Sequence, residues 1–145
     1  MKAFFPGSFN PFTAGHKSIV DRALKLFDGV VIGIGANIDK PGGDVEQRLA
    51  AIRAVYEDES RVEVLAYSGV TFEAAKNCGA KVILRGVRSV KDFEYERDMA
   101  DANRAVGGIE TLCLFADPAL GWVSSSIVRD LNRYGADTSK LTPKQ

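Results

Sequence analysis

Five short apolar runs alternate along the whole chain with five stretches that carry apolar residues at helical spacing. This alternation constrains the fold more than any other feature of the sequence. The runs are continuous rather than strictly alternating, which is typical of strands that are covered on both faces, as in a parallel sheet. The apolar runs lie at residues 2–5, 30–36, 61–67, 81–86 and 110–115. The helical stretches lie at residues 14–27, 44–57, 70–78, 92–106 and 124–134.

This βα alternation predicts an α/β fold, a doubly wound five-stranded parallel sheet with helices on both faces. The 145 residues suit a single domain over 1–145, and the 46% of hydrophobic residues suffice for a core. Residues 135–145 are polar, and we expect this tail to be frayed. Doubly wound sheets bind ligands beyond the carboxyl ends of their strands, so the residues that follow each strand should carry the chemistry.

Composition argues against several partners. Lys plus Arg equals Asp plus Glu at 19 each, whereas proteins that hold nucleic acid through its phosphates usually carry a basic excess. No stretch approaches the roughly 18 apolar residues of a membrane span, and the N-terminus lacks the apolar region of a signal peptide. Cys78 and Cys113 lack metal-ligand spacing, and we expect two buried thiols in a reducing compartment. We therefore expect a cytoplasmic protein with no nucleic-acid or membrane partner.

The turn after the first strand suits an anion. The stretch PGSFNPFTAGH covers residues 6–16, in which Ser8 and Phe9 present backbone N–H groups. His16 lies in the first turn of the next helix, where anionic oxygens are favoured. An incidental structural histidine is the alternative. Because His16 is the sole histidine of the chain and follows Gly15 in a tight turn, we favour a role at an anion.

Two arginines follow the fourth strand. Arg85 and Arg88 lie where guanidinium groups can hold a phosphate through two parallel hydrogen bonds. Asp92 is a plausible N-cap of the next helix, and the carboxylate of Glu96 in its first turns suits the helix dipole. In the alternative interpretation the arginines are solvated loop charges and Glu96 caps the helix.

Three consecutive serines at 124–126 precede the last amphipathic helix. One of them serves as an N-cap, and a helix start with three hydroxyls and free N–H groups also suits phosphate groups of a ligand. Lys40, in a Gly-Pro loop, and Thr71, in a first helical turn, are less informative. Taken alone, they indicate a solvated loop lysine and an ordinary helix residue.

Three stretches together resemble the signatures of one enzyme family. Residues 13–16, TAGH, resemble the (H/T)xGH signature of the nucleotidyltransferase superfamily. Residues 83–96, ILRGVRSVKDFEYE, resemble the RG-x-R-x-x-x-DFEYE signature of the bacterial phosphopantetheine adenylyltransferases. Residues 122–131, WVSSSIVRDL, resemble the serine-rich segment of the same family. The three motifs occur in the family's order and spacing, and the likeness runs from about residue 2 to 134.

The resemblance implies an enzyme of coenzyme A biosynthesis that transfers AMP from ATP to 4'-phosphopantetheine, giving 3'-dephospho-CoA and pyrophosphate. It implies His16 as a stabiliser of the transition state and Lys40 as a second catalytic residue. The implied contacts of the acceptor are Ser8, Lys40, Thr71 and Arg85. The implied contacts of ATP are Ser8, Phe9, His16, Gly86, Val87, Arg88, Glu96, Leu120, Gly121, Trp122, Val123, Ser124, Ser125 and Ser126.

Direct in-line displacement suits this chemistry, because the acceptor phosphate is already ionised near pH 7. We expect Mg²⁺ as the cofactor, held mainly by ATP phosphates and water, with no metal site in the protein. The family likeness also implies a homohexamer and feedback by CoA.

Two alternatives remain. The first is another acceptor within the superfamily, such as nicotinate mononucleotide, or a CTP-dependent reaction on an alcohol phosphate; the DFEYE stretch argues against both. The second is a nucleotide-sensing module without catalysis. The presence of His16, Lys40, Arg85 and Arg88 argues against that module.

Overall fold

The computed structural model describes residues 1–36 and 44–143. Within these ranges five strands alternate with five helices, as predicted. The strands are β1 Lys2–Gly7, β2 Gly29–Gly35, β3 Val62–Tyr67, β4 Val82–Val87 and β5 Glu110–Phe115. The helices are α1 Ala14–Ala23, α2 Val45–Val55, α3 Thr71–Asn77, α4 Val90–Gly107 and α5 Ser125–Arg133. None of these helices combines the length and apolar composition needed to cross a membrane.

The strands form one parallel sheet in the order β3-β2-β1-β4-β5. Strand order therefore reverses between β1 and β4, the place where doubly wound sheets bind their ligands. The predicted α/β architecture is confirmed.

Helices cover both faces of the sheet. Successive side chains of a strand point to opposite faces, so Phe4 and Phe5 of β1 enter different cores. Phe5 packs in one core with Ile19 of α1 and Ile52 of α2. Phe4 packs in the other with Ala75 of α3. The continuous apolar character of the strands follows from this double burial.

The two central strands separate toward their carboxyl ends. β1 pairs with β2 along its whole length, but its register with β4 consists of Ala3 with Val82 and Phe4 with Ile83. Beyond these pairs, Pro6 has no N–H to continue a ladder. The separation opens a crevice between β1 and β4, and this crevice is where a ligand can enter the fold.

Helix α4 begins earlier than expected. Its N-cap is Ser89, whose hydroxyl accepts a hydrogen bond from the N–H of Asp92 at 3.1 Å. The prediction of Asp92 as the N-cap is therefore wrong. Serine and aspartate are both good caps, and the serine three residues upstream takes the position.

Two further expectations concern the cysteines and the C-terminal tail. Cys113 is exposed and Cys78 half-buried, so the expectation of two buried thiols is wrong. Cys113 lies on β5, an edge strand whose side chains are mostly exposed. The expected frayed tail covers residues 135–145, of which 144 and 145 lie outside the described residues. Its described part has one backbone contact with α1. The carbonyl of Leu141 accepts a hydrogen bond from the N–H of Ala14, the first residue of α1, at 2.8 Å.

Replacing Gly33 with alanine should destabilise the fold by about 1–3 kcal/mol through overpacking. A Cβ at Gly33 would lie 2.7 Å from Cε2 of Phe4 and nearer still to Cζ. Gly35→Ala on the same strand is the matched control, since its Cβ would lie 3.5 Å from the Tyr67 hydroxyl, an ordinary contact. Urea unfolding of both variants measures the difference. Equal midpoints would contradict the close approach of Phe4 to the Gly33 backbone.

Candidate active site

A cleft of about 360 Å³ occupies the crevice at the carboxyl ends of β1 and β4. It collects most of the residues that the sequence predicted for a nucleotide site. Those that line it are Ser8, Phe9, His16, Arg85, Gly86, Arg88, Glu96, Leu120, Val123, Ser124, Ser125 and Ser126. The turn after β1, the end of β4 and the start of α5 therefore meet at one place.

The remaining predicted residues lie around this cleft. Thr71 lines a chamber of about 140 Å³ that shares Arg85 and Glu96 with the cleft. Val87 and Gly121 line a hollow of about 430 Å³ that shares Arg88 with it. Trp122 is 55% exposed, outside the described lining of the cleft. Lys40 lies outside the described residues.

The cap of α1 orients the imidazole of His16. The backbone N–H of Thr13 donates to Nδ1 of His16 at 2.9 Å, and the N–H of His16 lies 3.3 Å from the Thr13 hydroxyl. This is a capping box with histidine at its third helical position. A ring nitrogen that accepts an N–H carries no proton in neutral imidazole, so we infer that the proton lies on Nε2. His16 can therefore act as a hydrogen-bond donor through Nε2.

The surroundings of His16 keep it neutral. Its ring packs edge-on against Phe9 at 4.9 Å between centroids and stacks with Phe12 at 5.5 Å. Burial, together with the positive charges of Arg88 and Arg85, lowers the pKa of His16 from 6.5 to about 4. A neutral donor at pH 7 suits a phosphate site in which guanidinium groups already supply the positive charge.

The turn after β1 is held by side chains from other elements. Phe9 lies in the left-handed region with φ of 48°, an uncommon conformation for a bulky residue that must be held by its surroundings. Four carbonyls around it accept hydrogen bonds from side chains. The pairs are Arg85 with Pro6 (2.8 Å), Arg48 with Ser8 (2.5 Å), Arg129 with Asn10 (2.6 Å) and Ser125 with Pro11 (2.8 Å).

Glu96 holds the guanidinium of Arg85 in place. Its two carboxylate oxygens accept from Nε and Nη2 of Arg85 at 2.8 and 2.7 Å. Burial lowers the pKa of Arg85, but hydrogen bonds and the charge of Glu96 outweigh it and raise the pKa above its usual value. The bonds to Glu96 and Pro6 use three of the five N–H groups of the guanidinium, so two are left for a ligand.

Arg88 is held more loosely. Its Nε lies 3.6 Å from a carboxylate oxygen of Asp92, which also accepts the backbone N–H of Arg88 at 3.2 Å. The side chain is 42% exposed, against 31% for Arg85. Arg88 can therefore reorient toward an anion in the cleft, whereas Arg85 is preset.

The three serines have different tasks. Ser124 is the N-cap of α5 and accepts the backbone N–H three residues onward at 3.2 Å. The hydroxyl of Ser125 donates to the turn after β1, and that of Ser126 lies 3.3 Å from Nη2 of Arg129. The hydrogen bond of Ser125 thus connects the start of α5 to the turn that carries Phe9.

Sequence reasoning missed two arginines. Arg129 lines the cleft, and its position three residues after Ser126 on one helix could have shown that both lie on the same face. Arg48 lies on α2, and no sequence signal links it to Ser8, 40 residues away. Tyr67 and Asn103, which line the chamber beside Thr71, were also not identified.

This chain is similar to known proteins in sequence and in fold. The family model described as Cytidylyltransferase-like matches residues 4–131. A phosphopantetheine adenylyltransferase from Bacteroides thetaiotaomicron is 48% identical over 99% of this chain and 95% of that protein. One from Bacteroides fragilis is 49% identical over 99% and 96%. The solved structure of a bifunctional NMN adenylyltransferase/ADP ribose pyrophosphatase from Francisella tularensis superposes with a TM-score of 0.71 at 20% identity, covering 97% of this chain and 44% of that one. This last likeness supports the fold alone.

The His16 resonance should titrate with a pKa of about 4 in the folded protein. Above that pKa its proton should lie on Nε2. Since this is the sole histidine, its signals in a proton–nitrogen correlation spectrum need no assignment variant. The urea-unfolded chain is the control and should titrate near 6.5. Because the folded pKa is depressed, the associated stability is complete above pH 6.5 and is lost as pH falls through 4. A folded pKa near 6.5, or a proton on Nδ1, would contradict the assignment.

Proposed function

We propose a reaction for this chain, which belongs to the phosphopantetheine adenylyltransferase family of enzymes. It transfers the adenylyl group of ATP to the phosphate of 4'-phosphopantetheine, giving 3'-dephospho-CoA and pyrophosphate, a step of coenzyme A biosynthesis. One observation carries the assignment within this fold. Arg85 lines both the main cleft and the adjoining chamber, so a single guanidinium borders the spaces of two ligands.

The two spaces suit the two substrates. The cleft offers Arg88, the backbone of Gly86 and the amides at the start of α5 to the phosphates of ATP. The chamber joins it at Arg85 and carries hydroxyls and an amide for the polar arm of the acceptor. These groups belong to Tyr67, Thr71, Tyr95 and Asn103. Ser8 and Lys40 complete the proposed acceptor site.

The transfer needs alignment rather than a base. An oxygen of the acceptor phosphate attacks the α-phosphorus of ATP as the bond from that phosphorus to the bridging oxygen of the pyrophosphate breaks. The acceptor phosphate has a second pKa of about 6, so it is a nucleophile without proton transfer. Arg85 and Arg88 reduce the repulsion between the two anions, and Nε2 of His16 donates to an α-phosphate oxygen as charge develops. No covalent enzyme intermediate forms.

Mg²⁺ accompanies ATP in this proposal. In the described part of the chain, no three histidine, cysteine, aspartate or glutamate side chains gather as a metal cage. Within the cleft, Glu96 is engaged by Arg85 and Asp92 by Arg88. These observations fit a magnesium ion that is held by phosphate oxygens and water, where it offsets the charge of the triphosphate.

We also propose a homohexamer, CoA feedback and a cytoplasmic location. The edge strand β5 and helix α4 expose several large apolar side chains, some of which a second copy could cover. They are Phe93, Tyr95, Met99, Leu112 and Phe115. CoA carries the same arm and adenylyl group as the product, so the cleft and chamber that bind the product would also bind CoA.

Pyrophosphate release tests the proposed function. The protein should release pyrophosphate from ATP when 4'-phosphopantetheine is present, and not with nicotinate mononucleotide in its place.

His16→Ala should bind ATP within a few-fold of the parent and turn over at least about a hundredfold more slowly, because a preorganised donor to the transition state is lost. Lys17→Ala, which removes an exposed ion pair with Asp21 from the same helix, should leave turnover unchanged. Absence of release from the parent would reject the function, and an unchanged rate for His16→Ala would reject the role of His16.

The two arginines should divide the substrates between them. Lysine replacements keep the charge, so Glu96 keeps a cationic partner, but they lose the planar fork. Arg85→Lys should weaken binding of 4'-phosphopantetheine at least about tenfold and change ATP binding far less, with the reverse for Arg88→Lys. Calorimetric titration of both ligands into both variants measures this. Equal losses for both ligands in both variants would disprove the division.

A further inference from the structure

We propose that Arg48 is a positioning residue for the adenylyl transfer, which orients the backbone N–H of Phe9 by holding the carbonyl of Ser8. The inference rests on the proposed function. Nη1 of Arg48 lies 2.5 Å from the Ser8 carbonyl oxygen, a short charge-assisted hydrogen bond between α2 and the turn after β1. Its Nε is buried and has no hydrogen-bond partner among the described residues.

Helix α2 is a firm base for this contact. Leu49, next to Arg48, and Ile52, one turn onward, are buried in the same core as Phe5 and Phe9. Asp44 is the N-cap of this helix, and its carboxylate accepts a hydrogen bond from the N–H of Gln47 at 3.1 Å. Arg48 therefore extends from an element whose position is set by the sheet.

The geometry of a peptide group links Arg48 to the cleft. The Ser8–Phe9 peptide is trans and planar, so its carbonyl and its N–H point in opposite directions. A guanidinium that holds the carbonyl toward α2 therefore turns the Phe9 N–H away from α2. Ser8 and Phe9 both line the cleft. Within the described part of the chain, the N–H of Phe9 has no hydrogen-bond partner. It is a donor that is left for a phosphate oxygen.

This donor needs external support. Phe9 has a φ of 48°, and a bulky side chain in that region costs of the order of 1–3 kcal/mol, which neighbouring contacts must offset. Arg129 holds the carbonyl of Asn10 on the other side of Phe9 at 2.6 Å. Arg48 differs from Arg129 in that it is not part of the described lining of the cleft. Its effect on the reaction therefore passes through the backbone of Ser8 and Phe9.

Arg48→Met removes the donor and keeps most of the aliphatic stem, and Arg48→Lys keeps a donor. The matched control is Arg53→Met on the same helix, because Nη2 of Arg53 donates to the carbonyl of Val64 on β3, at 3.0 Å. The measurements are kcat and KM for both substrates, the thermal midpoint, and the Phe9 amide resonance with and without ATP. We expect Arg48→Met to lower kcat at least about tenfold, to displace the Phe9 amide resonance and to reduce its shift on adding ATP.

Arg48→Lys should retain kcat to within about threefold and displace the Phe9 resonance only slightly. Arg53→Met should leave both kcat and the Phe9 resonance unchanged. A kcat for Arg48→Met within twofold of the parent, or an undisplaced Phe9 resonance, overturns the proposal. If Arg48→Met does not fold, Arg48→Lys decides: a displaced Phe9 resonance at parental kcat also overturns it. An inactive parent protein would instead reject the proposed function, so the two failures are distinguishable.

Discussion

The buried ion pair between Arg85 and Glu96 determines how the two halves of the sheet meet at the cleft. Strands β1 and β4 stop pairing after Phe4 and Ile83, and the Arg85 guanidinium closes the gap by donating to Pro6. Glu96 is 5% exposed and could not remain charged there without its partner. Removing one member of such a pair typically costs about 3–5 kcal/mol, because it leaves an unpaired buried charge. The pair thus stabilises the fold, and two N–H groups of Arg85 remain without a partner among the described residues.

The rest of the site follows the same pattern, in which backbone groups of one turn are held by side chains from distant elements. The end of β1 and the turn after it receive donors from β4, α2 and α5, while the cap of α1 orients His16. In our proposal, Arg48 holds the carbonyl of Ser8 and thereby leaves the N–H of Phe9, in the same peptide group, for a ligand in the cleft. An oxyanion site that is built in this way is preorganised before substrate arrives, and this preorganisation is the main source of electrostatic catalysis.

The sequence predicted the fold well because its signals are periodic and local. Continuous β-branched runs indicated the parallel sheet, and TAGH, RGVR and the serines after the strands indicated where the cleft lies. The predictions that were wrong concern local choices that a sequence leaves open. Ser89 and Asp92 are equally good caps, and Cys113 is apolar enough for a core but lies on an edge strand. Arg48 was missed because its partner is a backbone carbonyl, which has no sequence signature.

Two contacts of the turn after β1 join residues that are far apart in the chain. Ser125 reaches Pro11 across 114 residues, and Arg129 reaches Asn10 across 119. During synthesis on the ribosome the N-terminal residues emerge first, yet their turn acquires these donors only after β5 and α5 have been made. A nascent chain that already contains His16 therefore lacks both contacts until Ser125 and Arg129 have been made. The turn that precedes His16 is completed only as a late event of folding.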